Sequence, residues 1–303
     1  MNQLIVIVPI LNAEATLVKQ IEQLKFQSID NEILLIDSES SDKSVDIAKM
    51  KKITFKQIFR ADFNHATTRN LALQKEVDFY LFMTQDALPY DDKLIENLLK
   101  PFEDKDVIVS YARQIPYEDA DMIEKFARET NYPSVSVVKS KESLKEMGIK
   151  TFFCSNSCAM YRASYFKKKG GFTEGLIMNE DMDFAARAIL DGKKVAYVAE
   201  AKVWHSHCYT AKDLFKRYFD IGIFFKTNRW IQDEVDKYSS TESTGIKQAT
   251  KELVYLWQNA PLSIPKSVFF SLTKYVAYKL GYHYDRLPMP LVKRFSTHTN
   301  FHS

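Results

Sequence analysis

Glycine is scarce in this 303-residue chain, with eight in all, and the G-x-G-x-x-G pattern is absent. Dinucleotide dehydrogenases and P-loop enzymes need bare backbone against phosphate, so both readings are weak. Cysteine is scarcer still: Cys154, Cys158 and Cys208. An odd, small number argues against a disulfide scaffold and fits a reducing compartment. Cys154 and Cys158 do not form the C-x-x-C hooks of a zinc site and read as core fillers. No segment reaches ~18 consecutive apolar residues, so no transmembrane helix is expected. The opening run "NQLIVIVPIL" is too short to span a bilayer and lacks a basic flank. It reads as a first strand rather than a signal peptide, and a cytoplasmic protein is the expectation.

What is present is an ordinary globular mixture. Apolar residues make up 46% and charged residues 27%, enough for a packed core and too evenly mixed for disorder. The length fits one large or two modest domains. The net charge of +3 is unevenly placed: residues 212–303 hold fourteen Lys/Arg against eight Asp/Glu. An acidic-to-neutral body with a basic tail follows.

Strands and helices alternate through the first hundred residues. The β-branched run Leu4 to Ile10 fits a strand covered on both faces. Leu17, Ile21 and Leu24 follow at helical spacing, then a second buried strand, Ile33 to Ile36, ends at Asp37. "TFKQIFRAD" is a weaker third strand, "NHATTRNLALQK" a loop turning into a helix, and "DFYLFMTQDA" a fourth strand. This alternation predicts an α/β fold: a Rossmann-like, mostly parallel sheet flanked by helices. Ligands of such sheets bind at the carboxyl ends of the strands. Those ends carry Asn12, Asp37, the Asn64–Arg69 loop and Asp86, the polar groups a sugar nucleotide requires. Later segments are a helix at "KLIENLLKPF", a strand at "VIVSYARQIP", a charged excursion over 117–150, a short strand, helix and Gly-Gly turn in "FFCSNSCAMYRASYFKKKGGF", and an acid-led helix at "EDMDFAARAILDG". The strand "KVAYVAEAKVWHSH" ends in histidines, and helices dominate from Thr210 onward.

Five stretches occur in a telling order: "VPILNAEATL", "LLIDSESSD", the strand-end Asp86, "GGFTE" and "NEDMDF". Together they resemble family 2 glycosyltransferases of the GT-A fold. "FNHATTRN" (Phe63 to Asn70) and "TQDALP" (Thr84 to Pro89) are similar to the pattern of bacterial rhamnosyltransferases. The resemblance covers roughly residues 4–210. It implies a GT-A catalytic domain over 1–210, with a nucleotide-sugar half at 1–100 and an acceptor half at 101–210, followed by a helical extension at 211–303. It also implies inverting transfer of L-rhamnose from dTDP-β-L-rhamnose to a hydroxyl of a lipid-linked glycan, in cell-wall or surface polysaccharide synthesis. Two alternatives stay open. One is a family 2 enzyme using a UDP-hexose or UDP-N-acetylhexosamine. The other is a non-catalytic sugar-nucleotide-binding protein.

The residues divide among the tasks of that reaction. Asp37 can accept the N3–H of a uracil or thymine, the role the family also gives it; a turn-capping acid is the plainer reading. Pro9 and Asn12 shape the first nucleotide-binding loop. Arg69 offers five donors to phosphate or base oxygens, with Asn64, His65 and Thr68 lining the same loop. Asp86 is the surviving acid of a D-x-D whose first position is Thr84, and hard oxygen suits Mg²⁺ or Mn²⁺. Gln85 beside it is a neutral contact for the donor. The family's general base carries over onto Asp181, with Glu180 next to it raising one of the two pKa values. His207 is the first choice to complete the metal shell and His205 the second; strand alternation puts both on one face and Trp204 on the other, in the core.

The tail, 253–303, carries ten aromatics and six Lys/Arg against one acid, Asp285. An amphipathic helix and a basic, proline-containing arm are expected. They lie on the inner leaflet of the plasma membrane, or pack on the catalytic domain or a second subunit of a homo-oligomer. With no recognised motif and a slightly acidic body, a nucleic-acid partner is not expected. Acceptor choice is expected in residues 117–160 and the tail.

Overall fold

Continuous apolar runs, whose successive side chains point to opposite faces, build a sheet covered on both sides. The computed structural model describes residues 3–238 and 242–298. The chain runs β1 (Leu4–Ile10), α1 (Glu14–Lys25), β2 (Glu32–Asp37), α2 (Ser44–Met50), β3 (Thr54–Gln57), α3 (His65–Asn70), β4 (Phe79–Met83) and β5 (Leu88–Pro89). It continues with α4 (Leu94–Leu99), β6 (Val107–Ile115), α5 (Met122–Asn131), β7 (Val137–Lys139), α6 (Leu144–Met147), β8 (Cys158–Arg162), α7 (Ala163–Lys168), α8 (Glu180–Leu190) and β9 (Lys194–Trp204). Five helices follow: α9 (Ala211–Thr227), α10 (Arg229–Asp236), α11 (Glu242–Asn259), α12 (Ile264–Tyr282) and α13 (Met289–Phe295).

The nine strands form one sheet, ordered β3-β2-β1-β4-β8-β6-β9-β5, with β7 on β9. The first four are parallel, as their alternation with helices requires. β8 then runs antiparallel to both β4 and β6. Its direction follows from where the chain returns: Cys158, the first residue of β8, pairs with Met83, the last of β4. β5 and β7 are also antiparallel to β9, so the second half of the sheet is mixed. The reversal brings the loop before β8 beside the loop after β4.

Successive side chains of each strand enter two cores. Ile5, Ile7, Tyr80, Phe82 and Tyr161 face α8, α9 and α12. Val6, Val8, Leu81, Met83 and Met160 face α1 and α4. On the first face Tyr80, Phe82, Tyr161, Phe166, Phe172 and Phe184 meet in tilted and edge-on pairs. Such pairs add about 0.5–1.5 kcal/mol each beyond their buried area. Cys154 and Cys158 are buried there and in the second core.

The helical extension shares the first core through Phe219, Ile223, Ala277 and Val292. α9 and α12 touch backbone to backbone. A Cβ added to Gly222 would collide with the Tyr278 carbonyl, and one added to Gly281 with the Phe219 carbonyl. Glycine is required at both positions for that approach. The helix and proline-containing arm expected of the tail are α12 and the Pro288–Phe295 segment; residues 299–303 lie outside the described residues. No helix among the described residues is long and apolar enough to cross a membrane. Trp204 is not in the core: it is half-buried, stacked between Tyr90 and Tyr117, because the last residue of β9 lies at the sheet's rim.

Candidate active site

The ends of β1, β2, β4, β6 and β9 and the start of β8 converge on one edge of the sheet, and the polar residues sit there. Asp86, just past β4, faces the two histidines that follow β9. Its Oδ1 is 3.4 Å from His205 Nε2 and its Oδ2 is 3.8 Å from His207 Nδ1. Ligand atoms of all three lie within 4.8 Å of one another. Burial raises the Asp86 carboxyl, but the hydrogen bond and charge of His205 outweigh it and hold the group well below the usual range. Burial, then His205, draws the His207 imidazole down to about 4. His205, the second choice from sequence, is the buried member and makes the closer approach. β9 has ended by then, so strand alternation does not align the two rings, which meet edge-on at 4.5 Å.

Gln114, at the end of β6, fixes the His205 tautomer. Its Oε1 lies 2.8 Å from His205 Nδ1 and also receives Arg128 Nη1. Arginine can only donate, so the amide oxygen is the atom held there and Nδ1 carries the proton. When the ring is neutral, its Nε2 lone pair is thereby turned towards the Asp86 carboxylate; when it is protonated, Nε2–H donates to that carboxylate, and this is the form that lowers Asp86. Two acceptors facing each other favour a shared cation, and one carboxylate with two neutral imidazoles is a donor set for a divalent ion.

The second cluster opens α8. Asn179 precedes it in the left-handed region, with φ of 60°. Asp181 accepts the backbone N–H of Asn156 at 2.9 Å and that of Met182 at 2.8 Å. Glu180 accepts Asn156 Nδ2 at 2.9 Å and pairs with Arg69 Nη1 at 3.1 Å. Burial first, and then the Glu180 charge, push the Asp181 carboxyl up to about 7 against its two N–H donors. Burial also raises Glu180, but Arg69, His65 and Asn156 outweigh it, so this carboxyl is lowered. Adjacent acids are thus split into a fixed anion and a group poised to take a proton near neutrality.

Two cavities meet at Thr84 and Asp86. One, about 1270 Å³, is lined by Pro9, Leu11, Ser38, Glu39, Asn64, His65, Arg69, Gln85 and Asp86. The other, about 500 Å³, holds Asp181, His205 and His207 and runs past Tyr132 and Arg217 to Phe270 and Lys274 of α12. Its lining from 121 to 157 and from the tail falls where acceptor recognition is expected.

Several sequence-expected residues stand differently. Arg69 lines the first cavity, but its guanidinium is buried and neutralised by Glu180 instead of being free for phosphate. Gln85 spends both ends of its amide on the Leu11 backbone, at 2.7 and 3.1 Å, and so clamps the first loop. Asn12 is turned from the cavity: its Oδ1 accepts from the Ser41 N–H at 2.8 Å, joining the first two loops. Asp37 is fully buried behind the wall, accepting from Gln57 Nε2 at 3.0 Å and from Ser40 N–H. Asn64 lines the cavity and also caps α3 through Ala66 and Thr67 N–H. His65 is held near Arg69 Nη1 at 3.3 Å, and burial lowers its imidazole to about 4. Sequence reasoning missed Gln114, Arg128 and Asn156. Gln114 alone left a trace, a polar residue near a strand's carboxyl end; the other two act through contacts distant in sequence.

The glycosyl transferase family 2 model matches residues 5–170. The chain belongs to glycosyl transferase family 2. Among curated family relatives, the O-antigen chain rhamnosyltransferase RfbN of Salmonella typhimurium is 39% identical over 299 residues, spanning 97% of this chain and 94% of that protein. The O-antigen chain rhamnosyltransferase WbaN of Salmonella anatum is 39% identical over 273 residues, 89% of this chain and 86% of that protein. Among solved structures, the mannosyltransferase PcManGT from Pyrobaculum calidifontis, in complex with GDP-Man and Mn²⁺, superposes with a TM-score of 0.64 at 12% identity. It covers 94% of this chain and 88% of that one. Staphylococcus aureus TarS 1-349, in complex with UDP, gives a TM-score of 0.56 at 16% identity, covering 94% and 91%. These likenesses establish the GT-A fold for this family 2 glycosyltransferase.

Proposed function

We propose that this enzyme transfers L-rhamnose from dTDP-β-L-rhamnose, with inversion, to a hydroxyl of a lipid-linked glycan in surface polysaccharide synthesis. The observation that carries the reading is the meeting of two cavities at Asp86, one reaching the nucleotide loops and the other lined by Asp181. The 39% identity to two O-antigen chain rhamnosyltransferases supports rhamnose as the sugar.

In this reading the donor lies in the larger cavity, between the loops after β1 and β2 and Asp86. Asp181 takes the acceptor proton as the hydroxyl attacks the anomeric carbon. Glu180 stays ionised against Arg69 and keeps the Asp181 pKa near neutrality. Asp86, His205 and His207 would hold a divalent cation, and the nitrogen ligands favour Mn²⁺ over Mg²⁺. That ion supplies Lewis-acid stabilisation of the departing diphosphate. Pro9 and the Gln85-clamped Leu11 shape the donor loop; Asp37 and Asn12 support it from behind. We assign donor binding to 1–100, acceptor binding to 101–210 and acceptor-side support to 211–303.

The second cavity ends at Phe270 and Lys274. On the outer face of the same helix Val268, Phe269, Leu272, Tyr275 and Val276 are exposed at helical spacing. An apolar stripe beside the acceptor cleft supports contact with an anionic leaflet that carries the acceptor.

The test is transfer from dTDP-rhamnose to a lipid-linked acceptor, run beside UDP-glucose and UDP-N-acetylglucosamine. Transfer only from a UDP-sugar would overturn the donor assignment. No transfer and no donor hydrolysis would favour the non-catalytic reading.

A further inference from the structure

The C-terminal arm returns to the donor cavity. After α13, Ser296 is fully buried and its carbonyl accepts Lys216 Nζ at 3.1 Å. Thr297 N–H donates to Asp220 Oδ2 at 2.8 Å, and His298 N–H donates to the Ser296 hydroxyl at 2.9 Å. Lys216 and Asp220 both belong to α9, so two of these bonds tie the arm to a helix of the shared core. The third turns it inward. Thr297 and His298 thereby join the wall of the 1270 Å³ cavity.

The position reached within that cavity is specific. The His298 ring meets His65 edge-on, with centroids 5.2 Å apart. His65 Nδ1 is 3.3 Å from Arg69 Nη1, and that nitrogen is 3.1 Å from Glu180. Ser38 and Glu39, after β2, line the cavity's nucleotide side, and Asp86 is where it opens into the acceptor cleft. In the reaction proposed above the transferred sugar lies where the two cavities meet at Asp86, and the His65–Arg69–Glu180 chain leads from His298 to the residue beside Asp181.

We propose that His298 is a donor-binding residue that closes the sugar subsite, giving one hydrogen bond to a hydroxyl of the transferred sugar. This rests on the sugar-nucleotide donor proposed above. Burial lowers the His298 imidazole from its ordinary value, against Asp220 and Glu180. A neutral imidazole can donate from one nitrogen and accept at the other.

The experiment is calorimetric titration of wild type, His298→Ala and His298→Gln with dTDP and with dTDP-rhamnose, in the presence of Mn²⁺. His298→Ala is expected to bind dTDP as the wild type does and dTDP-rhamnose about 3- to 10-fold more weakly, the size of one hydrogen bond. His298→Gln, which keeps a donor and an acceptor, is expected to recover part of the loss. Equal weakening for both ligands would show a merely structural arm, and no change for either would remove His298 from the site; both overturn the proposal. If the wild type binds a UDP-sugar and not dTDP-rhamnose, the donor assignment fails, and UDP against that UDP-sugar tests His298 by the same difference. Melting temperatures of the two variants distinguish lost contact from lost fold.

Discussion

Gln114 Oε1 lies 2.8 Å from His205 Nδ1 and is held by Arg128 from the other side. Glu124 binds Arg128 Nε at 2.7 Å and also accepts the His207 N–H at 3.2 Å. One turn of α5 therefore supports the Gln114 contact that orients the His205 ring and anchors the main chain at His207 through its backbone N–H. Loss of a supporting partner of this kind lowers metal affinity about 10- to 100-fold. Gln114→Leu is expected to weaken Mn²⁺ binding in the presence of dTDP by that factor, and Asp86→Ala to abolish it. Mn²⁺ titration followed by electron paramagnetic resonance measures both. Chelation with EDTA is expected to stop transfer, and added Mn²⁺ to restore it.

Asp181 carries the sign of the pH dependence. Its folded pKa, up to about 7, lies above the ordinary carboxylate value. As the proposed base it must be ionised, so kcat/KM is expected to rise with pH through about 7 and then level. Asp181→Asn is expected to reduce transfer by at least about 10²-fold. Stability runs the opposite way. Between the unfolded pKa near 4 and the folded one, the folded state binds more protons, so stability falls as pH rises. Removing the group is expected to stabilise the fold at pH 8, by about 1–3 kcal/mol, and to leave it nearly unchanged at pH 4. Thermal melts of the variant at the two pH values check this.

Arg69 and Glu180 form a buried pair, with side chains 3% and 7% exposed. Removing one partner of such a pair costs about 3–5 kcal/mol. Arg69→Met is expected to lower stability by that amount in urea denaturation. Glu180→Gln is expected to do the same, and also to move the rise of kcat/KM to lower pH, because the charge that lifts Asp181 is gone. A pH profile unchanged in Glu180→Gln would contradict the division of roles between the acids.

The parallel strands β1 to β4 were legible because β-branched runs and helical spacing alternate without interruption. So were Asp86, the Glu180–Asp181 pair and the two histidines, which stand at strand or helix ends where polar side chains are conspicuous. Less legible was what those groups touch. Arg69 looked like a phosphate ligand because its partner Glu180 lies 111 positions away. Gln85 looked like a donor contact because nothing local reveals that Leu11 takes both ends of its amide. The short strand that became β8 was legible, but its reversed direction was hidden by the charged excursion before it, and Asn156, which binds both acids, lies in the loop between that excursion and β8.

The outer face of α12 gives the last prediction. Phe269, Leu272 and Tyr275 are each more than half exposed, while Ala277 and Gly281 on the opposite side pack on α9. The helix is thus held by one face and leaves three large apolar side chains to solvent, with Lys279 near the Tyr275 ring at 5.8 Å. Buried apolar area contributes about 25 cal/mol per Å², and each basic residue close to an anionic surface about 1 kcal/mol. Phe269→Ser, Leu272→Ser and Tyr275→Ser together are expected to abolish co-sedimentation with phosphatidylglycerol-containing vesicles. None of the three lines either of the two cavities that meet at Asp86, so transfer to a water-soluble acceptor is expected to persist while transfer to a vesicle-embedded acceptor falls. Equal loss on both acceptors would mean that the face supports the fold. Unchanged vesicle binding would move the membrane contact elsewhere, and a concentration-dependent change in sedimentation coefficient between wild type and variant would assign the face to self-association.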